Sequence, residues 1–304
     1  MREVCYLLKR NILLYLRDYA AVFFSLLSML IVLALMVIFL GSMNSENVVD
    51  ALAEFGGVRD TAADKANADY LIQMWTLAGI LVVNTVTVTL TVMGKMVEDQ
   101  VSNKLVSFYV TPVKRFKIAL GYIFSAWIVG TVMCLFTLAV GEAYMVFLGH
   151  PLLPSGSLLK LAGFIFLNAF VYSAIAYLLA LFVRSSSAWG GLETIVGTLV
   201  GFVGAIYLPV SMLPDGVMKV LKCLPVIHGA AMMREICIQD ALRKTFDGLP
   251  DVAAEMFKEQ MGVTVWIDGS EVGLVKQILF LLFYGIIAAA VSAVITKRRR
   301  LRDR

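Results

Sequence analysis

The sequence lacks every short motif that would let the chain work as an enzyme on its own. Among its 304 residues there is no GxxxxGK(S/T) phosphate cradle, no HExxH, no GxSxG and no CxxC. Its two histidines, His150 and His228, lie far apart in the chain. We therefore expect no catalytic residue, no metal site, no cofactor held by this chain and no nucleic-acid partner.

Cysteine is also scarce, and it leaves two interpretations open. None of the four cysteines has a metal-type spacing to another cysteine or to a histidine pair. Cys223 and Cys237 could form an extracellular disulfide, or they could be two small buried apolar side chains, the interpretation we prefer.

Charged residues are few, at 16%, whereas hydrophobic residues make up 60% of the chain. A soluble domain is about half apolar and about a quarter charged. The composition thus predicts an all-α polytopic membrane protein rather than a soluble one. Apolar runs of roughly 20 residues are long enough to cross a bilayer as helices. Six such spans are predicted, at 20–40, 71–94, 118–148, 158–183, 188–210 and 274–295.

The segments between the spans differ in charge. Residues 1–19 form a basic amphipathic helix suited to the membrane interface, or else a simple basic flank of the first span. Residues 1–19, the segment 95–117, Arg184 and the C-terminal tail are basic, whereas the loop 41–70 and the segment 211–273 carry more acids than bases. Positive charges favour the cytoplasmic side, so we expect a plasma-membrane protein with both termini inside.

Two of these segments have structure of their own. In 95–117, apolar residues recur at three- and four-residue spacing through Val101, Leu105 and Phe108, which predicts a short amphipathic helix ending at Thr111-Pro112. The segment 211–273 begins with an apolar stretch too often broken by proline and glycine to span. It predicts two short helices that dip into the outer leaflet and meet at Leu224-Pro225.

Polar side chains inside the predicted spans are candidates for function. Glu142 and Glu193 are intramembrane acids, which are costly to bury; a structural or interfacial role is as plausible for them as a substrate role. The second span holds Asn84 and a series of threonines at 85, 87, 89 and 91. These hydroxyls either bond back to helix carbonyls and pack against a neighbouring helix, or line a substrate cavity.

Together these features resemble the permease subunit of ABC-2 type exporters, with the type V (ABCG-like) fold. Lys95–Gly121 is similar to the family's coupling segment, in which an acidic residue precedes a short helix, a Thr-Pro pair and a basic residue, with Asn103-Lys104-Leu105 where the family has Gly-Thr-Leu. Leu208–Arg234 resembles the family's re-entrant segment, and the amphipathic N-terminal helix completes the pattern.

The resemblance implies partners and site residues. It implies a separate cytoplasmic ABC ATPase that binds ATP and Mg, a second permease (identical or a sister chain), membrane lipids, and a hydrophobic or amphipathic substrate (a drug, peptide antibiotic or lipid) moved outward. The implied ATPase-coupling residues are Glu98, Asp99, Lys104, Leu105, Phe108, Thr111, Pro112 and Arg115. The implied substrate path is Asn84, Thr87, Thr91, Thr194, Thr198 and Phe202. The implied outer gate is Pro209, Pro214, Pro225, His228 and Arg234.

Two other classes of protein stay open. One is a membrane-embedded sensor or scaffold that uses the same short helix to bind a cytoplasmic partner without transport. The other is a secondary transporter, which the small number of intramembrane charges and the lack of a visible inverted repeat speak against.

Overall fold

The computed structural model describes residues 2–35, 41–54, 60–109, 113–206, 209–267 and 269–298, and these are mostly helical. The N-terminal helix α1 (Arg2–Arg17) is followed by α2 (Tyr19–Leu35) and α3 (Gly41–Glu54). Residues 41–70, expected as a loop, are therefore helical over α3 and again from Thr61 onward. Thr111 and Pro112 lie outside the described residues.

The central element is α4 (Thr61–Val101), a helix of 41 residues. Asp60 caps its first turn, because its side chain accepts hydrogen bonds from the backbone N–H groups of Ala62 and Ala63. At 1.5 Å per residue the helix is about 61 Å long, roughly twice the hydrocarbon thickness of a bilayer. It thus continues well beyond both ends of the predicted span 71–94. In its most apolar stretch of 18 residues, 83% of the residues are buried.

Three further helices are long, and two of them pack on α4. The three are α6 (Arg115–Phe147), α7 (Ser155–Ala180) and α13 (Leu274–Arg298). The first two pack directly on α4, and α13 packs on α6 and α7. One apolar core runs through α4, α6 and α7 and holds Trp75, Tyr122 and Tyr177. Because α4 is covered on nearly all sides, any movement of it must displace its neighbours.

Among the described helices, α4, α6, α7 and α13 are long and apolar enough to cross a membrane. The helices at the first and fifth predicted spans are shorter: α2 is described over 17 residues, and α8 (Ser186–Val203) has 18. Ser185 caps α8 by accepting a hydrogen bond from the backbone N–H of Ala188. The chain is a helical membrane protein, and the count of six spans stays a prediction.

The predicted coupling helix is divided differently from the expectation. Val101 ends α4 instead of starting a new helix, and α5 covers Lys104–Tyr109. Between them Asn103 has a φ of +58°, a left-handed conformation that glycine and asparagine tolerate better than other residues. Asparagine can therefore make the break for which the resembled family uses glycine.

The segment after α8 consists of short elements, which we call the cap. It consists of a 3₁₀ turn (Val210–Met212), α9 (Asp215–Leu221), α10 (Pro225–Cys237), α11 (Gln239–Thr245), α12 (Asp251–Gln260) and a hairpin of β1 (Trp266–Ile267) and β2 (Ser270–Glu271). Pro225 is the first residue of α10, a position where a missing N–H costs nothing.

The cysteines of this cap are unpaired. All four cysteines of the chain are free thiols; Cys223 is exposed and Cys237 is buried. Of the two interpretations left open by the sequence, the disulfide between these residues is therefore absent from this structure. The alternative interpretation, two small buried apolar side chains, holds for Cys237 only.

Candidate functional site

A buried ion pair lies at the C-terminal end of α4. The two guanidinium nitrogens of Arg10, on α1, donate to the two carboxylate oxygens of Asp99 at 2.7 and 2.9 Å. The hydroxyl of Tyr122, on α6, donates to the same carboxylate at 2.6 Å. Asp99 is only 3% exposed. The hydrogen bonds to Asp99 hold the pKa of Arg10 above its ordinary value, so the guanidinium stays protonated. One carboxylate thus joins α1, α4 and α6.

The short helix α5 rests on the same pair. The Arg10 guanidinium lies over the ring of Phe108, 5.1 Å from its centroid, which is a cation–π distance. Leu105, one turn earlier, is buried in the main core. We call Arg10, Asp99, Phe108 and Tyr122 the Asp99 cluster. A displacement of α5 would move Phe108 against Arg10, which is bonded to Asp99.

The acidic neighbour Glu98 points elsewhere. Its side chain is 57% exposed, and one carboxylate oxygen lies 3.1 Å from the Lys95 ammonium. Lys95 also donates to Asp18, in the short link between α1 and α2, at 2.8 Å. This hydrogen bond lowers the pKa of Asp18. Of the two acids the sequence singled out, Asp99 is therefore internal and Glu98 is on the surface.

The N-terminal helix packs tightly on α6. A Cβ atom added at Gly121 would lie 2.8 Å from the Cβ of Leu7, so a side chain there would force α1 away. At the edge of the same contact, Lys117 donates to Glu3 at 2.6 Å. The expected interfacial helix is thus also an integral support of α6.

The two remaining coupling residues that the structure describes lie on the surface near this site. Lys104 is exposed. Arg115 begins α6 and, with Lys114 and Lys297, lines a cavity of about 630 Å³ between α6 and α13.

Midway along α4 lies a second cavity, of about 260 Å³, between α2, α4 and α8. Its lining includes Thr87 and Thr91, two of the residues placed on the substrate path, and also Glu193. Ser25 and Phe24 of α2 complete the wall and were not singled out from the sequence. Nothing in the sequence paired α2 with the threonines, since the first predicted span has no pattern that fixes which face points inward.

The other predicted path residues are not at this cavity. Asn84 is buried and donates a short hydrogen bond to Thr137 of α6. Thr194, Thr198 and Phe202 lie on an exposed face of α8. The hydroxyls of the threonines at 85, 87, 89, 91, 194 and 198 each donate to a backbone carbonyl of the preceding helical turn, the behaviour expected of packing threonines.

Arg234, expected at the outer gate, lies in the interior, where backbone oxygens surround its guanidinium. It is fully buried and donates to the backbone oxygens of Gly204, Ala205 and Gly262 at 3.3, 2.6 and 3.1 Å. Its guanidinium lies 4.5 Å from the ring centroid of Trp75 on α4. One side chain therefore holds the end of α8 and the cap against the central helix.

The other residues placed at the outer gate differ in their surroundings. Nε2 of His228 lies 2.8 Å from the backbone oxygen of Lys222, and its ring packs on Phe280 of α13. Pro209 is buried next to the 3₁₀ turn and Pro214 is exposed before α9.

Glu142 lies on α6 beside the loop that precedes α7. It is 5% exposed, and one of its oxygens accepts from the backbone N–H of Leu153 at 3.1 Å while the other has no partner among the described residues. It does not line the cavity of Glu193.

The fold and these sites define a membrane-embedded helical bundle of the permease type. The family model of the ABC-2 family transporter protein matches residues 54–296, which is most of the chain. The chain therefore belongs to the ABC-2 transporter family, whose members are membrane components of ABC transporters. No curated protein matches it.

Proposed function

We propose that this chain is the membrane-spanning permease subunit of an ATP-driven exporter. It would have six spans in the plasma membrane with both termini in the cytoplasm. A separate ABC ATPase would bind ATP and Mg and contact the junction of α4 and α5. A second permease, identical or a sister chain, would complete the transport path for a hydrophobic or amphipathic substrate.

The observation that carries this proposal is the contrast between the two sides of the α4–α5 junction. The solvent-facing side of this junction is exposed and polar at Glu98, Ser102 and Lys104, as a docking surface for the ATPase requires. Beneath it, Asp99 is buried and bonded to two other helices. A push on α5 would thus reach α4 and α6 through packed, hydrogen-bonded groups rather than be lost in a loose loop.

The exposed face of α8 supports the second part of the proposal. Ile195 and Leu199 are exposed there at 61% and 51%, beside Thr194 and Thr198. This face mixes apolar side chains with hydroxyls. It lies on α8, the helix that also contributes Glu193 to the cavity lining. We assign it to the contact with the second permease.

The test is co-purification in mild detergent with the product of an adjacent ATPase gene, followed by an ATPase assay. We expect a stable complex with vanadate-sensitive turnover. Glu98→Lys should weaken the complex, because it reverses an exposed charge at the docking surface without removing a buried group. Glu255→Lys, at an exposed position on α12, is the matched control and should leave the complex intact.

Two outcomes would contradict the proposal. A chain that purifies alone, with no nucleotide dependence, would point to a secondary transporter. A complex with a kinase or regulator, and no ATPase, would point to a sensor or scaffold.

A further inference from the structure

The polar groups described in the lining of the cavity between α2, α4 and α8 are all oxygens that can accept hydrogen bonds. Its polar lining consists of the hydroxyls of Ser25, Thr87 and Thr91 and the carboxylate of Glu193. Among the residues that the structure describes, no lysine, arginine or histidine lines it. The ring of Phe24 and small apolar groups form the rest of the wall.

The hydroxyl protons in this lining are already used. Ser25 donates to a backbone carbonyl of its own helix at 2.8 Å, Thr87 at 3.0 Å and Thr91 at 3.1 Å. A hydroxyl has one proton and two acceptor lone pairs. With the proton committed to the helix, each oxygen can only accept a hydrogen bond from an occupant of the cavity. The Ser25 oxygen already accepts one from the Tyr15 hydroxyl at 3.3 Å, which leaves it one lone pair.

Glu193 is half-buried, and only one of its carboxylate oxygens accepts a hydrogen bond among the described residues. The indole N–H of Trp189, one turn earlier on α8, donates to one of its oxygens at 2.8 Å. Within the described ranges no cationic side chain lies within ion-pair distance of it. A carboxylate withdrawn from water without a counter-charge is costly, and a bound cation removes that cost.

We infer that this cavity binds the protonated amine of an organic cation, whose N–H groups donate to Glu193 and to the hydroxyl oxygens. This inference rests on the proposed transport function and names the substrate class. The Phe24 ring adds a face that attracts a cation. A quaternary ammonium has no N–H to donate, and a neutral analogue cannot offset the carboxylate charge. Both should bind less well.

The size of the cavity limits what enters it. Pockets that enclose a whole drug-sized ligand measure about 300–1,000 Å³, whereas this one measures about 260 Å³. It therefore holds the cationic head of an amphiphile, and the apolar body lies outside the cavity.

The inference is tested by equilibrium binding in nanodiscs of zwitterionic lipid, without nucleotide. The probe is dansylcadaverine, an apolar fluorophore with a primary amine, followed by energy transfer from tryptophan. Its N-acetyl derivative is the neutral comparison and its N-trimethyl derivative is the quaternary one; empty nanodiscs give the background. We expect the amine to bind at least tenfold more tightly than either derivative.

Variants locate the site. Glu193→Gln keeps an oxygen that can accept a hydrogen bond from Trp189. It should weaken binding of the amine at least tenfold and leave the affinity for the N-acetyl derivative unchanged. Thr91→Val removes one acceptor and should weaken amine binding roughly threefold to tenfold, since a single hydrogen bond contributes about 0.5–1.5 kcal/mol. Glu142→Gln makes the same chemical change outside the cavity and should bind like wild type.

The outcomes separate this inference from the proposed function. Equal affinity for amine and N-acetyl probe, or unchanged amine binding in both Glu193→Gln and Thr91→Val, would overturn the cation site. If neutral cargo is moved with ATP while no amine preference appears, the exporter proposal stands and this inference falls. If the amine preference depends on Glu193 but no ATPase partner exists, the site stands and the exporter proposal falls.

Discussion

Replacing Asp99 by asparagine tests whether one buried ion pair holds α1, α4 and α6 together. The substitution keeps the shape of the side chain but removes its charge and places an amide donor opposite Arg10. The side chain of Asp99 is 4% exposed and that of Arg10 is 29% exposed. Arg10 would therefore regain some hydration, and the asparagine oxygen could keep only part of the hydrogen bonds that the carboxylate accepts.

The expected magnitude follows from this geometry. Removing one partner of a fully buried ion pair costs about 3–5 kcal/mol. The partial exposure of Arg10 reduces this figure, so we expect Asp99→Asn to lower the free energy of unfolding by about 2–3 kcal/mol. Arg10→Gln should cost more, about 3–5 kcal/mol, because it leaves the buried Asp99 carboxylate without its counter-charge. The double variant should cost little more than the larger single one, which gives a coupling energy of about 1.5–3 kcal/mol.

The assay is unfolding in mixed micelles by titration with dodecyl sulfate, followed by tryptophan fluorescence. The pair Lys117–Glu3 is the control, because it joins the same helices α1 and α6 but lies at the surface. Its double-variant cycle should show no measurable coupling. Additive effects of Asp99→Asn and Arg10→Gln, within about 0.5 kcal/mol, would refute the claim that this pair joins the helices.

Two further predictions concern packing and thiol exposure. Gly229→Ala should destabilise the protein, since a Cβ at that position would collide with the side-chain oxygen of Asn168. Gly163→Ala is the control and should be neutral or mildly stabilising, because nothing lies within 4 Å of a Cβ there. Equal midpoints of the two variants in the same unfolding titration would contradict this packing. A membrane-impermeant maleimide should label the exposed Cys223 in native protein, whereas the buried Cys237 should react only after unfolding. A mass-spectrometric disulfide between these two thiols would contradict the structure.

Hydropathy located the long helices well but not their ends. The span 71–94 stops where Lys95, Glu98 and Asp99 begin, because a hydropathy average falls at charged residues. The helix itself continues to Val101, since nothing in that stretch breaks a helix before the left-handed Asn103. For the same reason the acidic residues of α3 hid a helix within the expected outer loop.

The candidate site was predictable in its residue types but not in its pairings. The sequence pointed to Glu98 or Asp99 without distinguishing them, because the partner of Asp99 is 89 positions away on α1. Thr87, Thr91 and Glu193 were each singled out, yet only the packing of α2, α4 and α8 brings them together. Asn84 shared the threonine pattern, but its hydrogen bond to Thr137 places it in the contact with α6 instead.

The central claim is that ATP hydrolysis by a partner drives substrate movement through this chain. The most direct measurement is uptake of a fluorescent organic amine into inverted membrane vesicles that contain the chain and its ATPase. We predict uptake with ATP, none with a non-hydrolysable analogue, and loss of uptake in Glu98→Lys but not in Glu255→Lys. Uptake by vesicles that lack the ATPase, or equal uptake by both variants, would contradict the account.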